Sequence, residues 1–172
     1  MKKLLMTTAM VAIAAIANAS SFDWKLQTGE TYTGMNVYSL TGTSAASVLA
    51  ACSSTDSTNW DSTFAGLTSS TVTGTGNRAS ASGSNDGIAA GDNVVFVIVD
   101  GAVAEGSKYW VVNDYTILAA NVYDPPATGS RATVNFGTQG TAGSGTFAAP
   151  EPTSGLLLLL GMAGLALKRK RA

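Results

Sequence analysis

The sequence predicts a mainly β fold: a single antiparallel β-sandwich or open-barrel domain with a short helical excursion, flanked by an N-terminal signal-peptide helix and a C-terminal hydrophobic helix. Three observations carry this. Val94-Val95-Phe96-Val97-Ile98-Val99 is a β-branched run with no polar face, the composition of a central strand covered on both sides. Shorter alternating or aromatic segments recur around it, separated by Gly, Pro, Asn and Asp turn signals. Each end of the chain joins an apolar run to a basic cluster, which sets residues 1–19 and 150–172 apart from the body between them.

At the start, Lys2-Lys3 precedes an apolar stretch from Leu4 to Ala17 broken only by Thr7-Thr8. Ala17-Asn18-Ala19 then offers the small-x-small pattern that a signal peptidase accepts, with Ala17 and Ala19 as the recognised residues. Residues 1–19 therefore read as a secretory signal peptide cut after Ala19, with the Sec export machinery and signal peptidase as partners. A buried N-terminal helix would have to place two lysines beside an apolar run that has no capping residue.

The body begins with Phe22, Trp24 and Leu26 alternating with Asp23 and Lys25, the pattern of a half-buried strand, and Tyr32 to Leu40 reads as a second strand. From Thr41 to Ser84 twenty residues are Ser or Thr, and order is weaker. A short helix is expected to start near Ser44, and Trp60 and Phe64 stand at i, i+4 spacing in a helical or loop excursion from the sheet. Ala45, Val48, Leu49 and Cys52 fall on one helical face, so the single cysteine reads as a small buried hydrophobe; it has no partner for an internal disulfide. After the central strand, Asp100-Gly101 marks a turn and Tyr109 to Val112 is expected to return as the second arm of a hairpin with a longer loop. Tyr115 to Tyr123 and Ala132 to Phe136 read as two more strands, parted by Asp124-Pro125-Pro126. Gly137 to Ala149, whose only large apolar residue is Phe147, reads as a flexible linker. The expected domains are thus 1–19, a β-rich exported domain over 20–136, a Gly/Thr/Ala-rich linker over 137–149, and a C-terminal segment over 150–172.

Chemistry enters mainly by exclusion. The chain has no histidine, so a Ser-His-Asp triad, a Cys-His pair and a histidine-ligated zinc site are ruled out within one subunit. The body holds ten acidic residues against Lys25, Arg78, Lys108 and Arg131, a net charge of −6 with no cationic stripe, which argues against nucleic acid as a partner. Gly74-Thr75-Gly76-Asn77-Arg78-Ala79 has the form of a dinucleotide fingerprint after a candidate strand, Ser70 to Thr73. The segment that follows, Ser80 to Gly87, is a poor helix, so an ordinary Gly-rich loop is the better reading. Asp92 with Asp100, and Asp114 with Asp124, are candidate carboxylate pairs for glycoside hydrolysis, but they occupy strand ends where turn aspartates normally sit. Asn85-Asp86-Gly87 and Asp92-Asn93 offer hard oxygen ligands for calcium without the spacing of an EF-hand. Trp24, Trp60, Trp110 and the tyrosines offer a sugar-stacking platform, although aromatics at alternating strand positions are more often core. No catalytic, metal or cofactor-binding residue is assigned on this reading.

The tail is more specific. Pro150-Glu151-Pro152 is followed by an apolar stretch from Gly155 to Leu167 and then by Lys168-Arg169-Lys170-Arg171. Thirteen apolar residues make about 20 Å of helix, against a hydrocarbon core of about 30 Å. Thr153-Ser154 at one end and the long basic stems at the other extend this to a thin, marginal anchor over 153–167. In motif, order and position the segment resembles the PEP-CTERM sorting signal of Gram-negative bacteria. The absence of a Leu-Pro-x-Thr-Gly motif disfavours the related sortase signal.

That resemblance implies an exosortase substrate. Pro150, Glu151 and Pro152 would be the recognised motif, 153–167 a transient inner-membrane anchor, and Lys168, Arg169, Lys170 and Arg171 the basic stop on the cytoplasmic face. The catalytic residues belong to the processing enzyme. It further implies release to the cell surface or biofilm matrix, with exopolysaccharide as a partner. The expected function is that of an exported, non-enzymatic surface or matrix protein; the alternative is an extracellular carbohydrate-binding module.

Overall fold

The computed structural model describes residues 20–123 and 131–148. The chain is mainly β. Its strands are β1 (Ser21–Gln27), β2 (Asn36–Thr41), β3 (Ser69–Thr71), β4 (Ser80–Asp86), β5 (Asn93–Val99), β6 (Lys108–Val112), β7 (Tyr115–Thr116), β8 (Val122–Tyr123), β9 (Ala132–Asn135) and β10 (Thr141–Thr146). Three short helices accompany them: α1 (Ala45–Cys52), α2 (Ser57–Phe64) and the single turn α3 (Phe136–Gln139). Among the described residues no helix is long and apolar enough to cross a membrane.

The strands form two sheets. In the first, β1 is central, with β4 on one edge and β8 and β9 sharing the other. All its pairings are antiparallel except β1 with β9, where Trp24 to Gln27 run parallel to Ala132 to Asn135. In the second sheet the order is β10-β6-β5-β2-β3, antiparallel throughout, and β7 pairs with the start of β5.

Alternation decides which residues face which layer. Phe22, Trp24 and Leu26 of β1 are buried in one cluster with Val37, Val94, Phe96, Ile98 and Val112, so this core lies between the two sheets. Val95, Val97, Val99, Tyr109 and Val111 face the other way, into a second core closed by Val48, Cys52, Trp60, Phe64 and Phe147. The β5 run is therefore buried on both faces, as its composition requires, and the helical excursion covers the outer face of the second sheet. Local chemistry sets the helix starts. Ser44 accepts the Ser47 amide at 3.2 Å, Asp114 accepts the Ala45 amide at 2.8 Å, and Asp56 accepts the Thr58 amide at 3.0 Å. The Thr58 hydroxyl and then its amide hold the Asp56 carboxyl below its ordinary range.

Several expectations change. The reading of 137–149 as a flexible linker beyond a body ending at 136 does not hold for residues 137–148. α3 and β10 occupy them, Thr141 to Thr146 pair with β6, and Phe147 is 1% exposed. The expected strand from Tyr32 begins only at Asn36, because Glu30–Tyr32 form a 3₁₀ turn. Tyr115 to Tyr123 is not one strand. β7 joins the second sheet and β8 the first, with a 3₁₀ turn at Ala119–Asn121 between them and Leu118 exposed. β4 was expected as loop and is a full seven-residue partner of β1. The hairpin of β5 and β6 forms as expected, turning at Gly101, whose φ of +89° suits glycine.

Candidate functional site

The residues singled out for export and sorting lie outside the described residues: Ala17 and Ala19 on one side, and Pro150, Glu151, Pro152, the apolar stretch and Lys168 to Arg171 on the other. The Asp124-Pro125-Pro126 breaker lies outside them too. What the fold fixes is where the body presents its two ends. At the first, the Ser20 carbonyl accepts the amides of Gly87 (2.8 Å) and Ile88 (3.2 Å), and the Ser21 hydroxyl donates to Asp86 at 2.6 Å. At the second, Phe147 donates its amide to the Ser107 carbonyl (3.0 Å) and accepts that of Gly106 (3.0 Å), while its ring packs on Trp60, Phe64 and Tyr109.

These ends sit at opposite poles. β1 runs in the same direction as β5: Phe22 stacks on Tyr115, the partner of Val94, and Trp24 packs edge-on against Phe96. Ser20 thus lies near the start of β5, whereas Phe147, bonded beside Lys108, lies near its finish, where the Asp100 amide meets the Lys108 carbonyl. Seven strand residues separate the poles by about 20 Å.

Asp92 and Asp100 do not converge, and Asp124, the expected partner of Asp114, lies outside the described residues. Asp92 and Asp100 flank β5 at its two ends, about 25 Å apart by strand rise, against about 5–10 Å for glycosidase pairs. Asp92 accepts the Ala89 amide in its own turn and Asp114 holds the start of α1. The oxygens considered for calcium are likewise engaged separately. Asn85 accepts from the Trp24 indole (2.8 Å) and the Ser39 hydroxyl (3.0 Å), Asp86 from Ser21, and Asn93 from Thr116. Among the described residues no three of His, Cys, Asp and Glu gather into a metal-binding group.

The tryptophan platform is corrected in the same way. Trp24 is 2% exposed between the sheets and Trp60 is 5% exposed in the outer core, so neither offers a face to a sugar. The Trp60 indole N–H is buried without a partner among the described residues. Trp110 is only partly covered and stands edge-on to Tyr32, which in turn meets the Phe136 ring at 5.0 Å. Burial raises the Tyr32 phenol above its ordinary pKa.

Beside this aromatic trio is a half-open cavity of about 260 Å³ of mixed polar and apolar lining, with Gln27, Thr28, Asn77, Asn135 and Phe136 among its walls. Thr28 is buried and donates to the Ala79 carbonyl (3.3 Å), and Asn135 caps α3 by accepting the Gly137 amide at 2.9 Å. Sequence reasoning missed these carboxamides because they come from the end of β1, a 3₁₀ turn at Gly76–Arg78 and the end of β9, with no motif linking them. The same turn runs into β4 rather than a helix, so the Gly74 to Ala79 fingerprint has no helix N-terminus behind it. The chain matches no family model, no curated protein and no solved structure.

Proposed function

We propose that this chain is an exported, non-enzymatic surface or matrix protein whose tail is processed by an exosortase. The observation that carries the reading is the order of three elements in 150–172: the Pro150-Glu151-Pro152 motif, a short apolar stretch and a closing basic cluster. The body is read as a β-sandwich, since its two sheets face each other across a shared core.

One feature of the body supports this reading. At its second end, Phe147 leaves three residues to Pro150, a reach of about 10 Å at most. The processing enzyme would then act on a motif held against a folded domain.

Intact-mass analysis of the exported protein tests the proposal. The expected mass lacks both 1–19 and Lys168 to Ala172, and Glu151→Ala is expected to leave the tail attached. Recovery of a surface form retaining Lys168 to Ala172, in cells with an active exosortase, overturns it.

A further inference from the structure

We propose that the cavity lined by Gln27, Thr28, Asn77, Asn135 and Phe136 is a binding site for a neutral sugar ring, such as a terminal hexose of an exported polysaccharide. The site is in the body, so this inference stands or falls apart from the sorting reading.

The chemistry of the lining selects the ligand. Three carboxamide residues from separate elements line one cavity, Gln27 half-buried and Asn77 and Asn135 exposed at its rim, and the side chains of Gln27 and Asn77 have no hydrogen-bond partner among the described residues. Each carboxamide presents a donor pair and an acceptor at once, which matches neighbouring hydroxyls that both give and take a proton. Among the described residues no charged side chain lines the cavity, so a uronate or phosphate finds no counter-ion from them. The half-buried Phe136 ring supplies an apolar wall for the C–H face of a pyranose, and Tyr32 and Trp110 hold that ring from behind at 5.0 and 5.3 Å steps. The volume, about 260 Å³, is near the small end for ligand sites and suits one ring of a chain that continues into solvent.

The test uses the full chain in a sugar-free zwitterionic detergent on an array of neutral hexose and N-acetylhexosamine oligosaccharides, with uronate and sugar-phosphate glycans as counter-probes. Neutral glycans are expected to be retained and acidic ones not. Asn77→Ala and Gln27→Ala are each expected to weaken binding about fivefold to tenfold, with an unchanged thermal midpoint, because neither side chain supports another described residue. Phe136→Leu, which keeps an apolar side chain but removes the ring, is expected to weaken it as well. Retention of no neutral glycan, retention of acidic glycans only, or undiminished binding by the Asn77→Ala/Gln27→Ala double variant overturns the proposal. Loss on Trp110→Leu with no loss in the double variant overturns it too, by moving the site to the indole.

Discussion

Replacing Phe147 by Ala asks whether the segment after α3 belongs to the fold. The ring is 1% exposed and lies 5.2 Å from Trp60, 5.9 Å from Phe64 and 4.9 Å from Tyr109, measured between centroids. Truncating a fully buried Phe costs about 3–5 kcal/mol. The three aromatic pairs, worth about 0.5–1.5 kcal/mol each beyond burial, overlap with that figure and place this site toward its upper half. A domain of this size has about 5–15 kcal/mol in hand, so the variant folds but is badly weakened. In urea, with a slope near 2 kcal/mol per molar, the midpoint is expected to fall by about 2 M. Trp60 fluorescence reports the local packing and far-UV circular dichroism the sheets. A loss below about 1 kcal/mol would refute the assignment, since a linker residue contributes no more than that.

Gly83→Ala tests the contact between β4 and β1. A Cβ added at Gly83 would stand 2.6 Å from the Trp24 ring, so the substitution is expected to cost about 1–3 kcal/mol. The exposed neighbour Ser82→Ala is expected to stay within about 0.5 kcal/mol, and equal thermal midpoints for the two would contradict the packing described. Cys52 gives a pH test. Burial pushes its thiol up to about 12, and Tyr109 rises in the same direction through burial first and then the Cys52 thiolate. A folded-state pKa above the unfolded 9.0 means the contribution is complete below pH 9 and is lost as pH climbs toward 12, so stability should decline across that window. At pH 8 a disulfide-exchange thiol reagent is expected to label Cys52 only at the rate of unfolding; immediate labelling of the folded protein would contradict the burial.

How much of this was legible in the sequence depended on where the side-chain bulk resides. β5 announces itself because its own residues fill both cores, and α1 does so through Val48 and Cys52 on one face. β4 and β10 do not, since Ser80 to Asp86 and Thr141 to Thr146 have small residues where their neighbours are large. Trp24 lies across Gly83, Leu49 reaches over Gly143, and the Tyr109 ring covers Gly145, each so close that a Cβ would meet it within 3 Å. The information that these segments are strands is held by residues distant in sequence. The cavity carboxamides were hidden for the same reason: each is an ordinary polar residue at the end of an element, and only the fold brings them together.

Losing the linker changes what the tail can do. A flexible 13-residue spacer would let a sorting motif reach an enzyme while the body stayed clear. With Phe147 in the core, six residues lead from it to Thr153, so the folded pole lies within about 21 Å of the proposed anchor at full extension. On the sorting reading, the β5–β6 loop that holds Phe147 through Gly106 and Ser107 is the part of the body tethered most closely to the anchor, and Ser20 lies at the far pole. The enzyme must then approach the motif past that loop or act before β10 has paired with β6. Either way, on that reading, pairing of β10, the last of the described strands, with β6 would couple the folding of the body to the processing of its tail.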